Sequence, residues 1–251
     1  ESTDGYNFKP RPKPVDMPHD DPMFKKYASS MYYDPRVTKI GNTYYILHAA
    51  HSGHTCRLSL VKTEDFRKFE WIGFVSETDN RNGVLFPEKI NGLYARLDRP
   101  NTGDGGGDIW ISYSPDLIFW GKSECVFRKW EGIRWAWKKV GAGATPIKTP
   151  EGWLNIFHGV RTQCHSHYVY QLGVCLLDLE NPAKVKAMSE DAILIPEEQY
   201  ELVGQTPNVV FTSGAMVEDN GEVKIYYGGA DTVQCVATTS LKRLIDACYN
   251  R

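Results

Sequence analysis

Long apolar runs are missing from this chain. None of its 251 residues belongs to a stretch able to cross a bilayer as a helix, and no secretory leader is recognisable. Excess charge is missing too: 29 basic and 31 acidic residues leave a formal net charge of −2, which gives no sign of a nucleic-acid or anionic-membrane partner. Any positive site must therefore be local. The six cysteines, at 56, 125, 164, 175, 235 and 248, form no CxxC pair, and a chain of this length can build a core without a disulfide framework. Reduced thiols and a cytoplasmic location are the expectation. There is no phosphate-cradling P-loop and no Gly-x-Ser-x-Gly nucleophile elbow, and Gly105-Gly106-Gly107 reads as a flexible turn. Helical patterning is scarce, with Leu241–Cys248 the one segment that reads as a helix.

What the chain does contain is a repeat. Four times a β-rich run reaches a Gly-containing turn, at Gly41, Gly92, Gly152 and Gly221, and re-enters an aromatic-aliphatic run, which is a hairpin signature. The loose period suits propeller blades with variable insertions, and a propeller gathers one loop per blade around a central channel. The expected architecture is all-β, a single propeller domain over residues 29–251 preceded by an extended Pro-, Asp- and Lys-rich arm over residues 1–28. Strands are expected at 43–50, 57–62 and 69–75 in the first blade and at 84–97, 108–113 and 120–127 in the second. The third takes 153–160, 168–179 and 192–195, and the fourth 209–217, 223–228 and 234–239. Blades close on Thr63-Glu-Asp-Phe, Ser114-Pro-Asp-Leu and Asp178-Leu-Glu-Asn-Pro, whose side-chain oxygens suit turns that cap nearby amides.

Chemistry-bearing residues recur at the hairpin ends. Asp34, in Tyr33-Asp34-Pro35-Arg36, opens an inner strand. It reads either as a turn cap or as a general acid oriented by Tyr33 and Arg36. Arg81 precedes the second inner strand, while Arg99 and His158 leave the second hairpin strands of successive repeats. Converging there, two guanidiniums and an imidazole would suit a bound oxyanion. Asp231 follows the paired glycines of Tyr226-Tyr-Gly-Gly-Ala and reads as a turn residue or as a carboxylate for sugar hydroxyls. Trp130, Trp135 and Trp137 read as blade packing or as a rim platform for sugar faces. His48, His51 and His54 with Cys56, and Cys164, His165 and His167, lack zinc-site spacing, so no metal is expected.

Several ordered segments between about residues 30 and 240 together resemble glycoside hydrolase family 130, the β-mannoside phosphorylases, on their mannooligosaccharide and mannosyl-N-acetylglucosamine branch. The segments are Tyr33-Asp-Pro-Arg-Val, Val84-Leu-Phe-Pro-Glu-Lys-Ile-Asn-Gly, Arg99-Pro and Ile109-Trp-Ile-Ser-Tyr-Ser-Pro-Asp-Leu. They continue with Val140-Gly-Ala-Gly-Ala-Thr-Pro-Ile, Gly152-Trp-Leu-Asn-Ile-Phe-His-Gly-Val, Leu176-Leu-Asp-Leu-Glu-Asn-Pro-Ala-Lys-Val, Pro207-Asn-Val-Val-Phe and Tyr227-Gly-Gly-Ala-Asp.

The resemblance implies a five-bladed β-propeller. Four blades are evident, so an N-terminal part that supplies polar residues to the sugar subsite is expected to be missing. It implies inverting phosphorolysis of β-1,4-mannosides to α-mannose 1-phosphate, with Asp34 as the acid acting through the mannose 3-hydroxyl. Arg81, Arg99, His158 and Tyr168 would bind phosphate, and Tyr33, Arg36, Asp231 and Phe211 the sugar. Inorganic phosphate is then a co-substrate and no cofactor is expected; the resemblance leaves room for a homo-oligomer. Two other readings stand beside it: an inverting β-mannosidase with Glu88 or Glu201 as base, and a non-catalytic carbohydrate-binding propeller.

Overall fold

The computed structural model describes residues 1–15, 20–28, 31–163 and 167–250, which form four antiparallel sheets in succession. The first is a meander of β1 (Met31–Ile40), β2 (Thr43–Ser52), β3 (Thr55–Thr63) and β4 (Glu70–Phe74). The second repeats it with β5 (Asn80–Leu85), β6 (Tyr94–Pro100), β7 (Ile109–Ser114) and β8 (Gly121–Phe127). In the third, the inner position is divided between β9 (Lys139–Ala142) and β10 (Ile147–Thr149), both paired to β11 (Gly152–Gln163), with β12 (His167–Leu177) and β13 (Val185–Met188) outside. The fourth holds β14 (Val210–Val217), β15 (Glu222–Gly229) and β16 (Val233–Ser240), capped by α3 (Leu241–Cys248). Among the described residues no helix is long and apolar enough to cross a membrane.

Local chemistry explains the repeat. Asn91 and Gly92 both take positive φ (50° and 81°), the turn that matches strand twist in a hairpin. The blade-closing turns form as expected. Ser114 Oγ accepts from the Asp116 and Leu117 amides at 3.2 and 2.8 Å, and Asp116 Oδ1 accepts from Ile118 and Phe119, both at 2.9 Å. Thr63 with Asp65, and Asp178, make the equivalent bonds.

The core lies in the seams between blades. Leu47, Leu58, Leu85 and Leu117 bury one between the first two; Phe86, Ile111, Trp153 and Phe157 fill the next; Leu154, Leu172, Val210 and Ile225 join the last pair. Between the fourth and first blades, β14 and β1 touch. The N-terminal residues run across that side: Tyr226 Oη donates to the Gly5 carbonyl at 2.9 Å, and Arg11 donates to the Phe66 carbonyl.

Three expectations change. The 1–28 arm is not extended throughout, because Pro22–Tyr27 forms α1. Asp21 caps it, Pro22 opens it, and Phe24 is buried against Trp71 and Phe74. Residues 192–195 are no strand: β12 spends its outer edge on β13, leaving one isolated bridge between Leu172 and Leu194. A further helical turn, α2 (Gln199–Leu202), forms where Glu201 closes a capping box with Glu198.

Candidate active site

The inner strands carry the site because each is broken at the same level. Pro35 has no N–H to give the ladder, so β1 bulges between Tyr33 and Arg36 and Asp34 takes φ 55°. β5 bulges between Arg81 and Val84, with Asn82 at φ 54°, and β14 bulges between Thr212 and Gly214. The bulges turn side chains towards the channel. Asn82 Nδ2 thereby donates to Asp34 Oδ2 at 3.1 Å, joining the first two blades at the carboxylate.

A cleft of about 200 Å³ opens there, bounded by Tyr33, Asp34, Arg81, Asn82, Arg99, Lys139, Tyr170, Phe211 and Asp231 among others. Its cations are not equivalent. Arg81 is clamped by Asp79 at 2.9 and 3.2 Å, while Asn101 holds the other side of that carboxylate at 2.6 Å. Burial is the largest single effect and works against the Arg81 charge, but the Asp79 bond together with the nearby Tyr33, Asp79 and Cys56 groups raises the guanidinium overall. Burial raises and the Arg81 and Asn101 bonds lower Asp79, with a net fall. Arg99 is buried, and desolvation brings it down to about 10.

Behind Arg99 stands His158, wholly buried, its Nε2 3.2 Å from Arg99 Nη1. Burial first, and then the charges of Arg99, Arg36 and Lys139, lower His158 well below the ordinary imidazole range, so the ring is neutral at pH 7. A guanidinium can only donate, so Nε2 accepts and the proton sits on Nδ1, which has no partner among the described residues. Gly141 makes this packing feasible, since a Cβ there would meet His158 Cε1 at 2.5 Å.

Lys139 is the most perturbed cation facing the cleft. Burial, then Arg99 and Arg81, lower its ammonium to about 7, with Asp34 acting in the opposite sense. Its Nζ lies 5.0 Å from the Tyr168 ring centroid and 5.1 Å from that of Tyr170.

Of the residues expected from the sequence, Asp34, Tyr33, Arg81, Arg99, Phe211 and Asp231 meet in this cleft. Three are placed differently. Arg36 is buried beneath it, giving its N–H groups to the carbonyls of Asp34 (2.7 Å), Gly143 (3.2 Å) and Ala142 (3.4 Å), with the Phe211 ring 5.2 Å above. It ties the Asp34 bulge to the third blade, with Nη1 3.7 Å from Asp34 Oδ2, and its burial keeps it from the cleft surface. His158 reaches the cleft through Arg99. Tyr168 lies outside the lining, and Tyr170, two residues on along the same face of β12, takes its place.

Sequence reading missed Lys139, Asn82 and Tyr170. Lys139 and Asn82 had a signal: both occupy the start of an inner strand, where Asp34 stands in the first blade. Glu88 pairs with Lys148 at the surface, and Glu201 accepts from Tyr227 Oη at 2.7 Å, so neither proposed base faces the cleft. Trp135 stacks on Phe157, Trp137 donates to Thr162 Oγ1 at 3.1 Å, and Trp130 is exposed; they edge a hollow of about 710 Å³. Among the described residues no three His, Cys, Asp or Glu side chains gather as a metal site; Cys164 and His165 lie outside the described residues.

The propeller sets a carboxylate beside clustered cations, and comparison with known proteins gives this arrangement a family. The family model for glycoside hydrolase family 130, described as beta-1,4-mannooligosaccharide phosphorylase, matches residues 1–250, and the chain belongs to that family. The chain is 40% identical over 222 residues to the beta-1,4-mannooligosaccharide phosphorylase of Ruminococcus albus, covering 85% of this chain and 64% of that one. It is 37% identical over 248 residues to a 1,2-beta-oligomannan phosphorylase of a Thermoanaerobacter species, covering 96% and 77%. The structure of beta-1,2-mannobiose phosphorylase from Listeria innocua, with beta-1,2-mannobiose, superposes with a TM-score of 0.82 at 36% identity, covering 90% of this chain and 63% of that one. The chain thus spans somewhat under two thirds of the length of two of these three relatives.

Proposed function

We propose that the cleft performs inverting phosphorolysis of β-mannosides: inorganic phosphate attacks the anomeric carbon, and α-mannose 1-phosphate and a shortened acceptor leave. The observation that carries this reading is the convergence of Arg81, Arg99 and Lys139 on the space beside Asp34. Phosphate is already a nucleophile, so what it needs from the protein is desolvation, alignment and charge compensation. Arg81, fixed by Asp79, and Arg99, backed by neutral His158, present such donors in set positions. In this reading Asp34 supplies the proton to the departing oxygen by way of the mannose 3-hydroxyl, Asn82 fixes its carboxyl, and Tyr33, Phe211 and Asp231 bound the sugar. Hydrolysis would need a base carboxylate about 6.5–9.5 Å from the acid. Neither Glu88 nor Glu201 is in the cleft; Asp231, the second carboxylate that lines it, is read here as a sugar anchor, and the clustered cations favour phosphorolysis.

A β-1,4 linkage is the reading favoured by the family description and the Ruminococcus relative; the Thermoanaerobacter and Listeria relatives support β-1,2 as the alternative. The acceptor chain would run along Trp130. A complete ring of five blades belongs to the same proposal. It is supported by the exposed apolar side chains Met31, Tyr32, Met216 and Val217 on the first and fourth blades. So does a cytoplasmic location, with which the free thiols of Cys56, Cys125, Cys175, Cys235 and Cys248 agree. The test is turnover of β-1,4- and β-1,2-mannobiose, each with and without phosphate. Turnover of either substrate that depends on phosphate supports the reading, and equal turnover without phosphate sinks it.

A further inference from the structure

A second cavity, of about 360 Å³, lies on the seam between the first two blades, on the far side of the segment that carries Arg81. Its size falls in the range of small-molecule sites. Its floor is polar and buried: Asn80 is 8% exposed, Asp98 1%, and Arg96 and Ser112 are similarly enclosed. Its walls are aromatic, formed by Trp110, Trp120 and Phe119, the last of them 74% exposed at the rim.

All the charges here but the exposed rim carboxylate Glu77 are already committed among the described residues. Arg96 Nε donates to Asp98 Oδ2 at 2.8 Å, its Nη1 donates to the Val75 carbonyl, and its guanidinium lies 4.1 Å from the Trp120 ring centroid. Arg57 donates to the Ser76 carbonyl at 3.0 Å, and Asp79 is spent on Arg81 and Asn101. An ionic ligand would therefore find little free countercharge. What is left over is neutral and polar: Asn80 Oδ1 is buried with no partner among the described residues, and the Ser112 and Ser123 hydroxyls face one another at 3.0 Å. A buried unpaired amide oxygen is destabilising until something donates to it. Broad ring faces beside uncharged hydrogen-bonding groups suit an uncharged ligand with apolar faces and many hydroxyls.

We propose that this seam is a second binding pocket, separate from the cleft, for a neutral pyranose unit that donates a hydroxyl to Asn80 Oδ1 and stacks on the Trp120 and Phe119 side. Its occupant touches the Ser76–Asn80 segment, and through Asp79 that segment holds Arg81. The pocket thus adjoins the cleft without sharing a ligand with it.

The experiment is titration of the full unsubstituted chain with a sugar that has no glycosidic bond to break. Free mannose is the probe, with tryptophan fluorescence and ligand-observed NMR as readouts, in saturating phosphate and without it. Two seam variants are compared: Phe119→Ala, at an exposed position, and Ser123→Tyr, which adds a ring to the cavity wall. The expected result is a mannose-dependent signal that persists with phosphate and weakens about tenfold in both variants, equivalent to about 1.4 kcal/mol. Circular dichroism should show both variants folded. If the seam takes up water alone, no mannose signal responds to either substitution, and the proposal fails. Loss of the signal in Arg99→Ala, with the seam variants unchanged, would equally overturn it by assigning the binding to the cleft. Phosphorolysis by the unsubstituted chain is scored separately, so failure of either idea leaves the other standing.

Discussion

Lys139 sits where three positive groups share one small space, and its lowered ammonium records burial first and that crowding second. Because its titration is brought down to about 7, its charge is present below pH 7 and is lost as pH rises through 7. Anion affinity should follow the same sign. The specificity constant for phosphate is expected to fall above pH 7 in the native chain by more than phosphate's own ionisation explains. Lys139→Met should remove that extra fall and weaken phosphate on the order of 10- to 100-fold at pH 6, measured as KM for phosphate at fixed mannobiose. A variant with an unchanged pH profile would show that Lys139 does not meet the anion. Asp34→Asn keeps the shape of the side chain and the Asn82 contact on one side. It is expected to lower kcat by roughly 10²- to 10⁴-fold with little change in thermal unfolding, the signature of lost proton transfer. Equal loss of kcat and of stability would instead mark Asp34 as a structural cap, the alternative that its Pro-linked turn leaves open.

Strand bulges and turn caps turn a repeated hairpin into a site. The bulges of β1, β5 and β14 place Asp34, Asn82 and the Phe211 side of the channel at one level, and Pro35 shows why the first of them forms. α1 is the element that the sequence concealed. Six residues carry too little periodicity to read, and their stability comes from Phe24 entering the Trp71–Phe74 pocket. Phe24→Ala is expected to cost about 3–5 kcal/mol where the site cannot collapse, read as a lower midpoint in urea. A loss below about 1 kcal/mol would show α1 to be dispensable. Trp130→Ala should raise KM for longer mannooligosaccharides several-fold and spare mannobiose. Equal effects on both would remove the rim platform.

Most strands were legible because alternation and Asx- and Ser/Thr-type turns are local, as at Ser114-Pro-Asp-Leu. Asp34 and Arg81 were legible because each stands where a hairpin begins, and Arg99 and Asp231 because each stands where one ends. Tyr170 was not, since its value comes from neighbours on other blades, and for Lys139 the position at an inner-strand start was the only signal. The burial of Arg36 and His158 likewise depends on Phe211, which is remote in sequence.

At the scale of the whole molecule, the blades act as a frame in which packed apolar clusters at the seams hold three cations together against their repulsion. The first and second seams fix β5 and β9, and with them Arg81 and Lys139, while β14 brings Phe211 over Arg36 and His158. Such a frame has a use if an anion enters the space it keeps open. The most direct test follows both phosphorus and sugar. The chain is incubated with β-1,4-mannobiose and inorganic phosphate, and the products are read by ³¹P and ¹H NMR. The expected result is one α-mannose 1-phosphate and one mannose for each mannobiose consumed, with no turnover when phosphate is withheld. Two free mannoses per mannobiose, at a rate indifferent to phosphate, would contradict it.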